Sequence, residues 1–249
     1  MEKMDDKLKE ILDKSKYISF FGGAGVSTDS GIPDFRSDKG LYKAKNEYGV
    51  SPEVLISHSY FVSYMDSFFE YYKENFIYKD AKPNPAHFKL AELEREGKLK
   101  GVVTQNVDGL HQMAGSKNVI ELHGSVMRNI CMDCKSLYSL EYILDPKNCI
   151  DKEGNQRSIP YCSKCNGVVK PDVVLYEEML DTVIMEKAAK IISESDTLIV
   201  AGTSLVVYPA AGLINYFRGD NLVLINRDRT PFDQKASLVY HDSIGKVMA

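Results

Sequence analysis

Five short strand-like runs, each ending on a cluster of glycine or polar residues, set the narrowest limit on how this chain can fold. Residues 17–21 run into Gly22-Gly23-Ala24-Gly25, and 101–104 into Gln105-Asn106-Val107-Asp108. Residues 118–122 lead to His123-Gly124, 197–201 to Gly202-Thr203-Ser204, and 222–225 to Asn226-Arg227-Asp228. Helix-patterned segments lie between most of them: one starts with Asn84 as N-cap and Pro85 at its first position, and another is expected over 210–217. Strands separated by helices pair in parallel, and such a sheet is covered by helices. The fold class is therefore α/β. Polar residues just past the carboxyl ends of the strands are where open α/β sheets keep their ligand chemistry.

The first run is the most informative. Gly23-x-Gly25 offers bare backbone where a strand turns into a helix, and a helix N-terminus there presents unpaired N–H groups to a phosphate. The usual dinucleotide fingerprint has a third glycine where this chain has Thr28, which argues against an ordinary dehydrogenase. A second turn, Gly31-Ile32-Pro33, then delivers Asp34, Phe35 and Arg36 in succession. Asp34 can be a simple turn-former, but a turn needs neither an aromatic ring nor a guanidinium.

With 249 residues, 44% hydrophobic and 27% charged, the chain can bury a full core without disulfides. Its net charge of -4 excludes a protein that mainly coats nucleic acid or an anionic membrane. Residues 1–16 lack the apolar core of a signal peptide, and no stretch is apolar for the ~20 residues of a membrane span. The expected location is the cytoplasm. There, five cysteines are better read as metal ligands plus a spare than as disulfides. Cys131-x-x-Cys134 and Cys162-x-x-Cys165 are two knuckles that match one tetrahedral zinc. Four cysteines close the coordination sphere, so the ion is structural. Cys149 is left as a free, buried or half-buried thiol. Around the knuckles there is no basic stripe with stacking aromatics, so direct nucleic-acid binding is not expected. The aromatics between 41 and 76 read as an amphipathic helix packed on the sheet.

Taken together, Gly-Ala-Gly-Val-Ser with Gly-Ile-Pro-Asp-Phe-Arg, Thr-Gln-Asn-Val-Asp-Gly-Leu-His, Glu-Leu-His-Gly, the two knuckles, Lys-Pro-Asp-Val-Val and Gly-Thr-Ser-Leu-Val-Val-Tyr-Pro-Ala resemble the bacterial type of sirtuin. The sirtuins are NAD-dependent protein lysine deacylases. The likeness covers nearly the whole chain, from about 17 to 242. It implies a Rossmann-like large domain from about 1–38, 80–127 and 170–249. A small domain would combine a helical insertion, about 39–79, with the zinc module, about 128–169. NAD and an acetyl-lysine peptide would meet in the cleft between them, and one chain would act as a monomer.

By the same resemblance, Ala24 and Thr28 belong to the phosphate-binding turn, and Phe35 and Arg36 to a lid over the nicotinamide ribose. Gln105 and Asn106 contact that ribose, Asn106 as part of the catalytic pair with His123, the general base. Val107 and Asp108 hold the nicotinamide carboxamide. Thr203 and Ser204 approach the phosphates or the adenosine ribose, Asn226 that ribose, and Asp242 the adenine through its backbone. Val174 and Tyr176 lie where relatives pair their backbone with the substrate peptide as an added strand. The family's Phe-Gly-Glu there is replaced by Tyr176-Glu177-Glu178, which leaves β-pairing open but alters sequence preference.

These roles fit general chemistry. Positioning supplies several kcal/mol when a weak amide nucleophile must attack a ribose carbon, a carboxylate can accept the carboxamide N–H, and an imidazole suits deprotonation of a ribose hydroxyl. Nicotinamide, free lysine and O-acetyl-ADP-ribose are the implied products. Relatives that take acidic acyl groups carry Tyr and Arg where this chain aligns Phe69 and Tyr72. Acetyl or longer apolar groups are therefore expected over succinyl, whose carboxylate would be buried unpaired. Two rival readings use the same motifs: an NAD hydrolase or mono-ADP-ribosyltransferase, and a non-catalytic zinc-ribbon or NAD-sensing module. His111 is read as a hydrogen-bonded structural histidine, and His58, His87 and His241 receive no role.

Overall fold

In the computed structural model, which describes residues 4–33, 45 and 47–249, the opening strand lies in the interior of the main sheet. Nine strands are described. They are β1 (Ile18–Gly22), β2 (Leu99–Thr104), β3 (Val119–Glu121), β4 (Gly124–Cys131), β5 (Leu137–Ser139), β6 (Val169–Val173), β7 (Thr197–Ala201), β8 (Asn221–Ile225) and β9 (Leu238–Tyr240). Six of them form a sheet in the order β3-β2-β1-β7-β8-β9, and every neighbouring pair in it is parallel. From β1 the chain builds outward in one direction through β2 and β3, then returns to build the other way through β7, β8 and β9. The order reverses at β1, so the crevice for a ligand opens beyond the carboxyl ends of β1, β2 and β7.

The central strands are mostly apolar because helices cover both faces. Phe20, Val102 and Ile199 pack on one face with Leu8 and Leu12 of α1 (Asp6–Lys14). Their neighbours Phe21, Val103 and Val200 pack on the other face, with Ala188 and Ile192 of a later helix and with Leu213. Alternate side chains of one strand thus serve two separate cores, as the pleat requires.

The aromatic stretch departs from expectation. Instead of one amphipathic helix there are short helices at Pro52–Leu55 and His58–Ser63, then α2 (Met65–Asn75). Tyr64, at φ -136° and ψ 52°, breaks the run between the last two. Nor do the rings pack on the parallel sheet. Phe61, Phe68, Phe69 and Tyr72 are buried with Val126, Cys131, Leu140, Ile143, Ile159 and Val169, on the second sheet, which is antiparallel in the order β5-β4-β6. The phenylalanine rings meet one another edge-on, Phe61 and Phe68 at 5.0 Å and Phe68 and Phe69 at 5.4 Å, while Tyr72 stacks on Phe68. Each such buried ring contributes about 2–3 kcal/mol of apolar transfer, so the aromatic stretch and the cysteine segment form one hydrophobic unit. Spacing predicts that these residues are buried, but not which partner buries them.

Two further expectations change in detail. The helix read over 210–217 is a 3₁₀ segment, Ala210–Tyr216. Directly after the glycine turn, the described residues form two 3₁₀ turns, Ala24–Val26 and Thr28–Ser30, in place of an α-helix. The helix that closes this side is α3 (Pro85–Arg95), whose cap residue Asn84 donates from Nδ2 to the Val26 carbonyl at 2.8 Å and to Ser30 Oγ at 3.0 Å.

Candidate active site

Three loops converge at the reversal point, and bare backbone is what lets them do so. The Gly23 N–H donates to the Ala201 carbonyl at 3.1 Å and the Gly25 N–H to the Gly202 carbonyl at 2.9 Å. A Cβ on Gly25 would sit 2.6 Å from the Gly202 Cα, and one on Gly23 would sit 2.8 Å from the Gly202 oxygen. Gly202 itself has φ +58°, and a Cβ there would strike the Val26 nitrogen. The glycines are therefore needed first to let the β1 and β7 loops touch backbone to backbone. Ala24 and Thr28 sit on the exposed side of that contact, with Thr28 Oγ1 donating to the Gly25 carbonyl at 3.0 Å.

The loop after β2 joins this platform through side chains. Gln105 Nε2 donates to Thr203 Oγ1 at 3.1 Å. Asn106 Nδ2 donates to Ser27 Oγ at 3.1 Å, and Ser27 Oγ donates onward to Asp108 Oδ2 at 2.6 Å. The other Asp108 oxygen accepts the Leu110 N–H at 2.9 Å, at the start of α4 (Leu110–Met113). Loss of solvent raises the Asp108 carboxyl above its ordinary value, against the lowering effect of the Ser27 hydroxyl and the Leu110 N–H. Ser27 is fully buried at the centre of this chain of three. The sequence motif contains it, but gives no sign that it links the proposed carboxamide-binding acid to the proposed ribose-contacting amide.

His123 arrives from the loop between β3 and β4. Its Nδ1 meets the Gln105 carbonyl at 2.9 Å, and since a carbonyl only accepts, Nδ1 carries the proton and Nε2 is the basic nitrogen of the neutral ring. Gly124 follows at φ +78°, where a side chain would run into the Asp172 carbonyl of β6, so the turn that presents His123 demands glycine. The His123 carbonyl accepts the Val174 N–H at 3.0 Å, which ties the His123 loop to the loop after β6.

The remaining residues spread along the rim. Val107 lies beside Asp108, its carbonyl accepting the Val126 N–H at 2.9 Å. Ser204 is exposed beyond Thr203. Asn226 stands at the end of β8, its Nδ2 donating to the Asp228 carbonyl at 2.8 Å. The Asp242 carboxylate accepts the Ser243 N–H and pairs with Lys246 at 2.8 Å, both of which lower its pKa, and so is spent on its own helix end. The Tyr176 backbone is also spent: its N–H donates to the Ile56 carbonyl at 3.0 Å and its carbonyl accepts the His58 N–H at 2.9 Å. Phe35 and Arg36, with Asp34, lie outside the described residues.

The four knuckle cysteines come together. Their sulfur atoms all lie within 4.8 Å of one another, the closest pairs being Cys131 with Cys165 at 3.4 Å and Cys134 with Cys162 at 3.5 Å. A tetrahedral zinc with sulfur at ~2.3 Å needs sulfurs ~3.8 Å apart, so the set fits one ion with no open position. Each knuckle closes on a residue in the left-handed region, Lys135 at φ 60° and Asn166 at φ 61°. Cys131 and Cys162 are also part of the aromatic core, so the ion would cross-link the segments around which that core is built. Cys149 is buried apart from them, with Lys73 Nζ 3.3 Å from its sulfur.

Two histidines given little or no role turn out to be packed together. His87 completes the capping box of α3, its Nδ1 accepting the Asn84 N–H at 3.3 Å. Its ring lies 4.7 Å from that of His111, which in turn lies 5.8 Å from Phe20. His111 is buried, but contrary to the expectation of a hydrogen-bonded histidine neither of its ring nitrogens has a hydrogen-bond partner among the described residues. Burial pushes the pKa of His87 down to about 4 and that of His111 to about 3.

Comparison with known proteins places this arrangement. A family profile described as the Sir2 family matches residues 23–209. An NAD-dependent protein deacetylase of Clostridium acetobutylicum is 58% identical over 98% of this chain and 96% of its own length. A solved structure of a Sir2 protein with deacetylated p53 peptide and 3'-O-acetyl ADP ribose aligns with a TM-score of 0.86 at 36% identity, covering 99% of this chain and 96% of that one. Another, of Sir2 with p53 peptide and NAD+, aligns at 0.84 and 37% identity, covering 98% and 95%.

Proposed function

Because this chain belongs to the Sir2 family and is an NAD-dependent protein deacetylase, we propose that the rim beyond β1, β2 and β7 is its catalytic cleft, with His123 as general base. The observation that carries the assignment is the His123 Nδ1 to Gln105 carbonyl bond of 2.9 Å. It holds the ring in one tautomer, with Nε2 able to take a proton from a ribose hydroxyl. NAD, once bound, supplies the ribose carbon that loses nicotinamide and accepts the acetyl oxygen of the substrate lysine.

The protein's part is placement. Asp108 accepts an N–H of the nicotinamide carboxamide, and its partner Ser27 and the Leu110 N–H hold the carboxylate in that direction. Asn106 and Gln105, each tied to a neighbouring loop, line the ribose. Ala24, Thr28, Thr203 and Ser204 face the phosphates, Asn226 the second ribose, and Asp242 the adenine through its backbone, since its side chain is engaged elsewhere. The glycine-lined contact between the β1 and β7 loops supports this reading, because it brings the two loops together without side chains in the way. Phe35 and Arg36 are proposed as the lid.

The six-stranded layer would be the large domain, and the aromatic and cysteine segments the small one. The peptide would lie along the loop after β6, with Val174 and Tyr176 at its edge. A monomer is proposed, and the free thiols favour the cytoplasm. Among the described residues no helix is long and apolar enough to cross a membrane.

Incubation with NAD and an acetyl-lysine peptide, read by mass spectrometry, tests the assignment. Nicotinamide, deacetylated peptide and O-acetyl-ADP-ribose should appear in equal amounts. His123→Ala should lower turnover by at least about a hundredfold with its unfolding midpoint unchanged. Free ADP-ribose or modified protein in place of O-acetyl-ADP-ribose would indicate hydrolysis or ADP-ribosyl transfer, and normal turnover in His123→Ala would remove the base.

A further inference from the structure

The loop after β6 carries a residue that its geometry does not favour. Glu177 has φ +75°, the left-handed region, where a residue with a Cβ is strained by about 1 kcal/mol or more. Strain of this kind persists only where surrounding contacts over-determine it, and the contacts are on hand. Glu177 Oε2 accepts both the Ser59 N–H at 2.9 Å and the Ser59 hydroxyl at 2.6 Å. The residues on either side reach the same helical segment. Tyr176 forms a parallel bridge with Ser57 through the Ile56 carbonyl and the His58 N–H, and its ring packs with Leu55, Ile56 and Tyr71. Glu178 meets His58 Nδ1 at 3.1 Å and Lys170 at 3.4 Å, and accepts the Leu175 N–H at 2.9 Å. The Glu178 N–H donates back to the Leu175 carbonyl at 3.0 Å, closing the turn.

Three successive residues therefore clasp 56–59, while neither the N–H nor the carbonyl of Glu177 takes a backbone partner among the described residues. The geometry points to Glu177 as a positioning residue for the substrate peptide: its carboxylate, held by Ser59, fixes the rotation of the loop's unpaired peptide groups before the peptide arrives. Glycine would adopt this φ without strain but would leave the loop free to turn. A glutamate accepts the strain and in exchange orders the edge that a peptide strand would join. The clasp also explains how Tyr176, whose backbone is fully used, takes part at a peptide-binding edge. It anchors the edge and does not pair with the peptide. This inference rests on the peptide docking along the loop after β6.

The test is steady-state kinetics on the full chain with NAD and an acetyl-lysine peptide, for wild type, Glu177→Ala, Glu177→Gly and Glu177→Gln. Removing the carboxylate, with the peptide edge left mobile, should raise KM for the peptide about three- to tenfold, discounted for a solvent-exposed contact. kcat and KM for NAD should stay within about twofold, a split that general loss of stability would not produce. Glutamine, which can still accept from Ser59, should restore most of the loss. Hydrogen exchange of residues 174–178 in the wild type, with and without peptide, separates the two levels. If peptide slows exchange there and Glu177→Ala keeps its peptide KM, the positioning role is wrong. If peptide gives no protection, the docking edge itself is misplaced, and the clasp falls with it.

Discussion

Lowering the pH from 7.5 to 5.5 should cost this fold about 3 kcal/mol through two histidines alone. His87 and His111 are 0% and 2% exposed and face each other, with no acidic partner on either ring among the described residues. Burial depresses their folded pKa values to about 4 and about 3, whereas in the unfolded chain each titrates near ~6.5. A histidine with a depressed folded pKa binds fewer protons folded than unfolded. Its penalty is therefore absent well above ~6.5, begins as the pH falls through that value, and grows until the folded pKa is reached. At pH 5.5 both rings are still neutral in the folded protein, while the unfolded chain holds nearly one proton on each. The cost is then about RT ln(1 + 10), roughly 1.4 kcal/mol per ring against ~0.1 at pH 7.5. Because neither ring is charged in the fold at pH 5.5, this figure does not depend on how far below 5 the folded values lie.

Urea denaturation at the two pH values measures the loss, and comparison with variants isolates it. His111→Phe keeps a ring against Phe20, and His87→Gln keeps an acceptor for the Asn84 N–H. Each should remove about 1.3 kcal/mol of the pH-dependent loss, whatever it does to stability at pH 7.5. The zinc thiolates and every other titrating group remain in the variants and cancel in the difference. If both variants lose as much stability as the wild type on acidification, the rings are not held neutral and the reasoning fails.

Two other outcomes follow from the metal site and the glycine contact. Stripping zinc with a chelator should expose four alkylatable thiols by mass spectrometry and loosen the aromatic core, because Cys131 and Cys162 lie in it; four thiols that react equally before chelation would mean no ion is held. Gly202→Ala should lower stability by about 2–4 kcal/mol and weaken NAD binding in a titration, since its new methyl group strikes the Val26 backbone at φ +58°; an unaffected chain would show that the β1 and β7 loops do not need this contact.

What could be read from the residues was whatever depends on local pattern or on a spaced motif. Apolar runs ending in polar clusters announced a parallel α/β sheet, because a strand covered on both faces has no polar positions to spare. Two matched Cys-x-x-Cys pairs announced a four-sulfur site, because each knuckle is a local structure. The motifs around Asn106, Asp108 and His123 carried the family likeness, and with it NAD and deacetylation.

Other features depended on which distant surfaces meet, and only the tertiary structure decided these. Spacing marked Phe61, Phe68 and Phe69 as buried, but a helix face carries no record of its partner, and they joined the cysteine segment instead of the parallel sheet. The glycines at 23 and 25 read as room for a phosphate, yet their first demand is backbone contact with Gly202, across more than half the chain. Ser27 became the link between Asn106 and Asp108 only when β1 and β2 were laid side by side. In the same way Tyr176-Glu177-Glu178 looked like a departure from pattern until Ser59 was found beside it. Hydrophobic pattern and motif are properties of neighbours in sequence, while packing and hydrogen-bond partnership are properties of neighbours in space, and the site is built mostly from the second kind.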